Sequence, residues 1–249
     1  MRRSKELMFS ARPLRRSHIR IADLPAHLYR LHRGAASDFT LWEYIQPQSG
    51  RWQDPNNEYR VLYFSDSKLG AYVETLQDLR PNGVTVSGVV GIINDGGYPD
   101  FDFDMKTAIV EKLHNRRFST FIPGHPDDVV VDLEESPTRT HLESIPNIAT
   151  ILLRRGVTTL KNGDFSAGDY ALTNAISRAI YEDVATFSGL RCRSAEERDA
   201  TNYTIFETGH DTNVPRATLI EFRTELSLHR HDLIAEVVHR LGVDLKAVS

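Results

Sequence analysis

Polar and apolar positions recur regularly enough along the chain to predict several elements. "RVLYFS" at 60–65 alternates, with Leu62 and Phe64 on one face and Val61 and Tyr63 on the other, and predicts a strand. The apolar and basic "LYRLHRG" that starts at Leu28 predicts an earlier strand carrying Arg30 and Arg33. After Ser65 the period changes. Leu69, Tyr72, Val73 and Leu76 fall at i, i+3, i+4 and i+7, the stripe of a helix that faces the core, with Asp66 as its expected N-cap.

Further along, "DDVVVDL" (127–133) predicts a buried strand, and "ESPTRTHLESIPN" (135–147), rich in Pro, Ser and Thr, predicts a surface connection. "DGGYPDFDFD" is an acidic loop ahead of a candidate helix, "MKTAIVEKLHN". The strongest helix signal opens at Ser166, where Ser166 and Asp169 fit a capping box, and runs through Ala175, Ile176, Ala179, Ile180 and Val184. "NYTIFE" and "ATLIEF" predict two more strands, and "DLIAEVVHRLG" a closing amphipathic helix stopped by Gly242. Strands and helices mix without a regular βαβ alternation, which predicts an α+β fold with a mixed sheet and flanking helices.

Composition narrows the function classes. With 40% hydrophobic and 26% charged residues, a chain of 249 can bury a core as a single large domain. A formal charge of −4 lacks the basic excess that a dedicated nucleic-acid binder carries. The exception is residues 1–22, a basic leader in which Arg2, Arg3, Lys5, Arg12, Arg15, Arg16 and Arg20 face one acid, Glu6. A solvated, partly disordered arm is the plain reading of it, with residues 23–249 forming the domain. One cysteine, Cys192, excludes an internal disulfide framework and fits a reducing, cytoplasmic setting. No apolar run reaches the ~18 residues of a membrane span, so no membrane partner is expected. The close histidines of "HRH" (229–231) have i,i+2 spacing, which does not put two ligands on one helix face, and no metal site is expected.

Glu74 is the odd residue. It lies off the apolar stripe, where an exposed helix glutamate is the commonest reading, yet Gly70 and Ala71 one turn back present little side chain, which would let a ligand approach. Arginines such as Arg30, Arg33 and Arg51 are individually weak signals, but several guanidinium groups in one cleft would suit a phosphate or pyrophosphate. Ser194 reads by itself as a turn or cap serine ahead of a polar loop.

Taken in order, "LYRLHRG", "GRWQDPNNEYRVLYFSDSKLGAYVETL" and "FSGLRCRSAEERDATNYTIFE" resemble the RES family, named for an Arg, a Glu and a Ser, over roughly Leu28 to Phe222. The segment "SAGDYALTNAISRAIYE" resembles its penultimate helix, and Cys192 stands where an aromatic is usual. The resemblance places the family arginines on Arg30 and Arg51, with Arg33 competing for the first place, its tyrosine on Tyr63, its glutamate on Glu74 and its serine on Ser194. It implies a fold like that of ADP-ribosyltransferases and cleavage of the nicotinamide–ribose bond of NAD by a glycohydrolase or phosphorylase, as the toxin of a toxin–antitoxin pair. Glu74, Arg51 and Ser194 would be catalytic, and Arg30 or Arg33 and Tyr63 would bind substrate. NAD is then a substrate, inorganic phosphate a candidate co-substrate and an antitoxin protein the expected partner, with no prosthetic group and with homo-oligomerisation left open. Two alternatives stay on the table: transfer of ADP-ribose to a protein target, and a non-catalytic interaction or nucleic-acid-binding protein that uses the basic arm.

Overall fold

Residues 18–33, 50–77 and 109–240 are described by the computed structural model, apart from 57, 110, 115, 166–169, 184, 195–196, 198, 210–211, 213 and 228–230. Their strands are β1 (Ile21–Asp23), β2 (Leu28–Arg33), β3 (Val61–Ser65), β4 (Arg116–Pro123), β5 (Val129–Asp132), β6 (Gly189–Arg193), β7 (Thr201–Phe206) and β8 (Leu219–Leu226). They form one mixed sheet in the order β1-β5-β6-β7-β3-β2-β4-β8. The expected α+β architecture, a mixed sheet with flanking helices, is what forms.

Among the described residues only β5 and β6 pair in parallel. A parallel pair needs a crossover. Here it is built by α2 (Ser136–Glu143), α3 (Pro146–Arg154) and α4 (Tyr170–Tyr181), with a short 3-10 turn at Asn162–Phe165. Leu142, Ile148, Leu152, Leu172, Ile176 and Ile180 from these helices pack on Val131, Leu190 and Phe206 of the sheet to make the largest core cluster. A second cluster joins α1 (Lys68–Leu76) and α5 (His231–Arg240) to Leu31 and Phe118, through Tyr72, Val73, Leu76 and Val237. The tyrosine hydroxyl of Tyr72 donates to the carbonyl of Ser227 at 2.8 Å, fixing α1 to the end of β8.

Several sequence expectations need correction. The stretch 135–147 is not a surface connection: it holds α2 and the start of α3, each with proline at its first turn. Proline there begins a helix, because its missing N–H would have had no intrahelical partner. The cap of α1 is Ser67, whose side chain accepts from the Gly70 N–H, whereas Asp66 accepts from the Thr201 N–H at 2.8 Å and ties the helix entry to β7. Helix α4 ends at Tyr181, short of Val184, while its proposed cap at 166–169, the acidic loop, the basic arm to residue 17 and Gly242 lie outside the described residues. Strands β1, β4 and β6 were not expected.

The candidate site lies where β2 and β3 separate. β2 matches β4 at six consecutive positions and β3 matches β7 at five, but β2 and β3 meet at a single pair, Tyr29↔Ser65. The two halves of the sheet therefore part beyond that pair.

Candidate active site

A cavity of about 610 Å³ occupies this split. Tyr29, Arg30 and Leu31 of β2 line one side and Tyr63, Phe64 and Ser65 of β3 the other, while α1 contributes Ala71, Glu74 and Thr75. Gly50, Arg51 and Trp52 close one end, and Cys192 and Asn202 bring in β6 and β7.

Glu74 is half-buried, not exposed. Its Oε1 accepts from Ser194 Oγ at 2.5 Å and from Asn202 Nδ2 at 2.8 Å. Ser194 directly follows β6, and its N–H donates to the Ala200 carbonyl at 2.9 Å. Its Oγ also accepts from the Glu197 N–H at 2.9 Å, so the hydroxyl proton is directed at the carboxylate. Ser194 is thus a turn serine, as its local sequence suggests, and at the same time a partner of Glu74.

The open space expected at Gly70 is filled by protein. A Cβ there would lie 2.5 Å from Ser65 Oγ and 2.8 Å from the Ala200 Cβ. Gly70 lets α1 press against β3 and the Ala200 segment, which brings Glu74 within reach of Ser194. Ala71 is the small residue that faces the cavity.

Arg51 sits in a turn held from α4. The Asn174 side-chain nitrogen, in the amide orientation that its neighbours demand, donates to the carbonyls of Gly50, Arg51 and Gln53 at 3.1, 2.8 and 3.1 Å. Ser177 Oγ donates to the Trp52 carbonyl at 2.6 Å, and Arg178 pairs with buried Asp54 at 3.0 Å. From the other side the Trp52 N–H donates to the Tyr63 hydroxyl at 3.2 Å. Tyr63 lines the cavity while its oxygen clamps the Arg51 turn. Burial pushes its hydroxyl up to about 12 against the opposing pull of the Trp52 N–H and Arg51, so it stays neutral at ordinary pH. Cys192 is likewise pushed up to about 12 by burial, which leaves an inert thiol at the cavity wall.

Arg30 and Arg33 separate clearly. Arg30 lines the cavity with its guanidinium 5.7 Å from the centre of the Phe64 ring, whereas Arg33 is exposed and is not a lining residue. Burial, then the nearby Arg116, push Arg30 down to about 10: it is a desolvated cation beside a second cation, and an anion would relieve both effects. Lys112 and Arg116 line the same cavity, adding positive charge that the sequence motifs did not announce. Asn174, Ser177 and Asn202 were also missed. The first two did leave a signal, since Asn174, Ser177 and Arg178 fall at i, i+3 and i+4 and make a polar strip on one face of the helix. Asn202 left none, being a strand residue with nothing local to distinguish it.

The arrangement is that of an α+β protein whose sheet opens to hold a hydrogen-bonded carboxylate among arginines. A family model, RES domain, matches residues 27–90 and 103–229, and the chain belongs to that family. No curated protein sequence matches it. Arg30, Arg51, Tyr63, Glu74 and Ser194 all fall inside the matched segments.

Proposed function

We propose that the protein cleaves the nicotinamide–ribose bond of NAD, as a glycohydrolase or phosphorylase, with a fold related to ADP-ribosyltransferases. The observation that carries this reading is the Glu74 carboxylate, oriented by Ser194 and Asn202, facing a cavity that Arg30 and Arg51 also line. A cavity of this size suits a bound small molecule, and its cations suit a diphosphate.

In the reaction the bond from the ribose C1 to the pyridinium nitrogen breaks and its electron pair goes to that nitrogen, releasing neutral nicotinamide. Positive charge develops on C1 and the ring oxygen, and the carboxylate of Glu74 stabilises it. An oxygen of water or phosphate then bonds to C1; with water, one proton is released and ADP-ribose is the product. Arg30 and Arg51 hold the diphosphate, whose charge is present throughout. Ser194 fixes the carboxylate, and Tyr63 fixes the turn that carries Arg51.

Depletion of NAD harms the producing cell, so the reading extends to a toxin held in check by an antitoxin protein that covers the cleft. Incubating purified protein with NAD, with and without phosphate, and identifying products by mass spectrometry tests the chemistry. Nicotinamide release that is lost in Glu74→Gln is expected. Intact NAD, or label found on a protein acceptor with no free ADP-ribose, would overturn the assignment to water or phosphate.

A further inference from the structure

The side chain of Asn202 does two things that the reaction above uses only in part. Its nitrogen donates to Glu74 Oε1 at 2.8 Å, which fixes the amide and leaves the direction of its oxygen no freedom. That oxygen, Oδ1, is buried and has no hydrogen-bond partner among the described residues. Asn202 lies on β7, paired with Cys192 of β6 on one side and Ser65 of β3 on the other, so its backbone cannot swing to find one. Cys192, Ser65 and Asn202 all line the cavity. An acceptor that is buried without a partner is destabilising unless something else supplies a proton donor.

We infer that Asn202 Oδ1 is a ligand-binding acceptor that works beside Glu74, and that the two together recognise a vicinal diol. This inference rests on the proposed reaction and adds a residue that recognises its ribose. Both protein hydrogen bonds to the Glu74 carboxylate fall on Oε1, among the described residues, and so Oε2 is the oxygen presented to a ligand. The amide oxygen is joined to its nitrogen through one carbon, which keeps it within about 5 Å of Oε1. The Glu74 carboxylate and the Asn202 amide oxygen are thus neighbouring acceptors, and the hydroxyls on adjacent carbons of a ribose would donate one to each. Asn202 is then a binding residue through Oδ1 and a positioning residue through its nitrogen.

Calorimetric titration with ADP, ADP-ribose and two ADP-ribose analogues, lacking either the 2- or the 3-hydroxyl of the distal ribose, tests this. The wild-type protein should bind ADP-ribose about tenfold more tightly than either deoxy analogue. In Asn202→Leu one of the two penalties should vanish, with ADP binding unchanged because ADP has no distal ribose. Asn202→Ser, a smaller change, should give the same pattern and serves if the leucine variant does not fold by circular dichroism. Persistence of both penalties in either folded variant, or wild-type indifference to both hydroxyls, overturns the inference while leaving the dinucleotide reading intact. Failure of the wild-type protein to bind ADP and ADP-ribose at all overturns that reading and this inference with it.

Discussion

Ser194 Oγ donates to Glu74 Oε1 at 2.5 Å across 120 residues of sequence, joining the end of β6 to the last turn of α1. The Glu197 N–H occupies a lone pair of the same hydroxyl, so the serine's proton points at the carboxylate in the folded protein.

Ser194→Ala should therefore lower kcat by about ten- to a hundredfold, the range of a charge-assisted hydrogen bond, with KM little altered. Because the turn to Glu197 also loses its acceptor, unfolding should become easier by about 1 kcal/mol. Steady-state kinetics and a urea melt read the two effects separately. A variant with unimpaired kcat would show that Glu74 keeps its orientation without Ser194.

Arg30 and Arg51 are assigned to phosphate charge that exists in bound substrate, and Glu74 to charge that appears only as the bond breaks. Arg30→Gln and Arg51→Gln should thus raise KM about ten- to a hundredfold, whereas Glu74→Gln should act mainly on kcat. Arg33→Gln, at an exposed position outside the cavity, should do neither. If Arg51→Gln reduced kcat at constant KM, Arg51 would be acting on the transition state instead.

The turn that carries Arg51 has its own supports, and they can be removed without touching the cavity. Asn174 and Ser177 are not lining residues, yet between them they bind the carbonyls of Gly50, Arg51, Trp52 and Gln53. Asn174→Ala and Ser177→Ala should each destabilise the fold by about 1–3 kcal/mol and raise KM in the folded enzyme. An unchanged KM in a folded, destabilised variant would mean that the turn holds its shape through Tyr63 and Asp54 alone.

Local patterns made much of this fold legible. The alternation in "RVLYFS" placed Leu62 and Phe64 in one cluster and Val61 with Tyr63 in another, and the i, i+3, i+4, i+7 stripe buried Tyr72, Val73 and Leu76. The ordered Arg, Tyr and Glu matches fall on the cavity wall, and the Ser match falls on a residue outside that lining that bonds Glu74. What stayed hidden depends on contacts between distant segments. Gly70 looked like a gap for a ligand because the residues that fill it, Ser65 and Ala200, arrive from two other elements. Asn202 is indistinguishable from a solvent-facing strand residue until Glu74 is seen beside it. The helices at 136–154 were obscured for a local reason, since proline and serine signal a helix start as readily as a loop.

Gly70→Ala should be far more disruptive than its helical position suggests. In a helix interior, alanine is ordinarily favoured over glycine by about 1 kcal/mol. Here the new methyl would stand 2.5 Å from Ser65 Oγ and 2.8 Å from Ala200 Cβ, inside van der Waals contact. Because the Ala200 carbonyl holds the Ser194 N–H, relief by moving Ala200 also moves Ser194 away from Glu74. A loss of both stability and kcat is expected; a gain in stability would show that the packing is looser than these distances require.

His32 sets a pH dependence that comes from the sheet behind the cavity. It is buried on β2 with Nε2 2.7 Å from Ser119 Oγ, and Ser119 in turn donates to Glu221 at 2.8 Å. Burial, and then the charge of Arg30, push the imidazole from its ordinary 6.5 down to about 4, with Arg117 and Arg116 acting in the same direction. The folded protein thus holds His32 neutral over a range in which the unfolded chain takes up a proton. Protonation of the unfolded state alone favours unfolding, so stability should fall as pH drops from about 6.5 to about 4, by an amount on the order of a few kcal/mol. Carboxylates also respond to acid, and the measurement is therefore the difference in unfolding free energy between wild type and His32→Gln, which cannot titrate. Wild type should lose its advantage over the variant progressively across that window and hold it constant above pH 7. A difference that stays flat down to pH 4 would mean that His32 titrates in the fold as it does in the unfolded chain, and that the arginines around it exert no net effect.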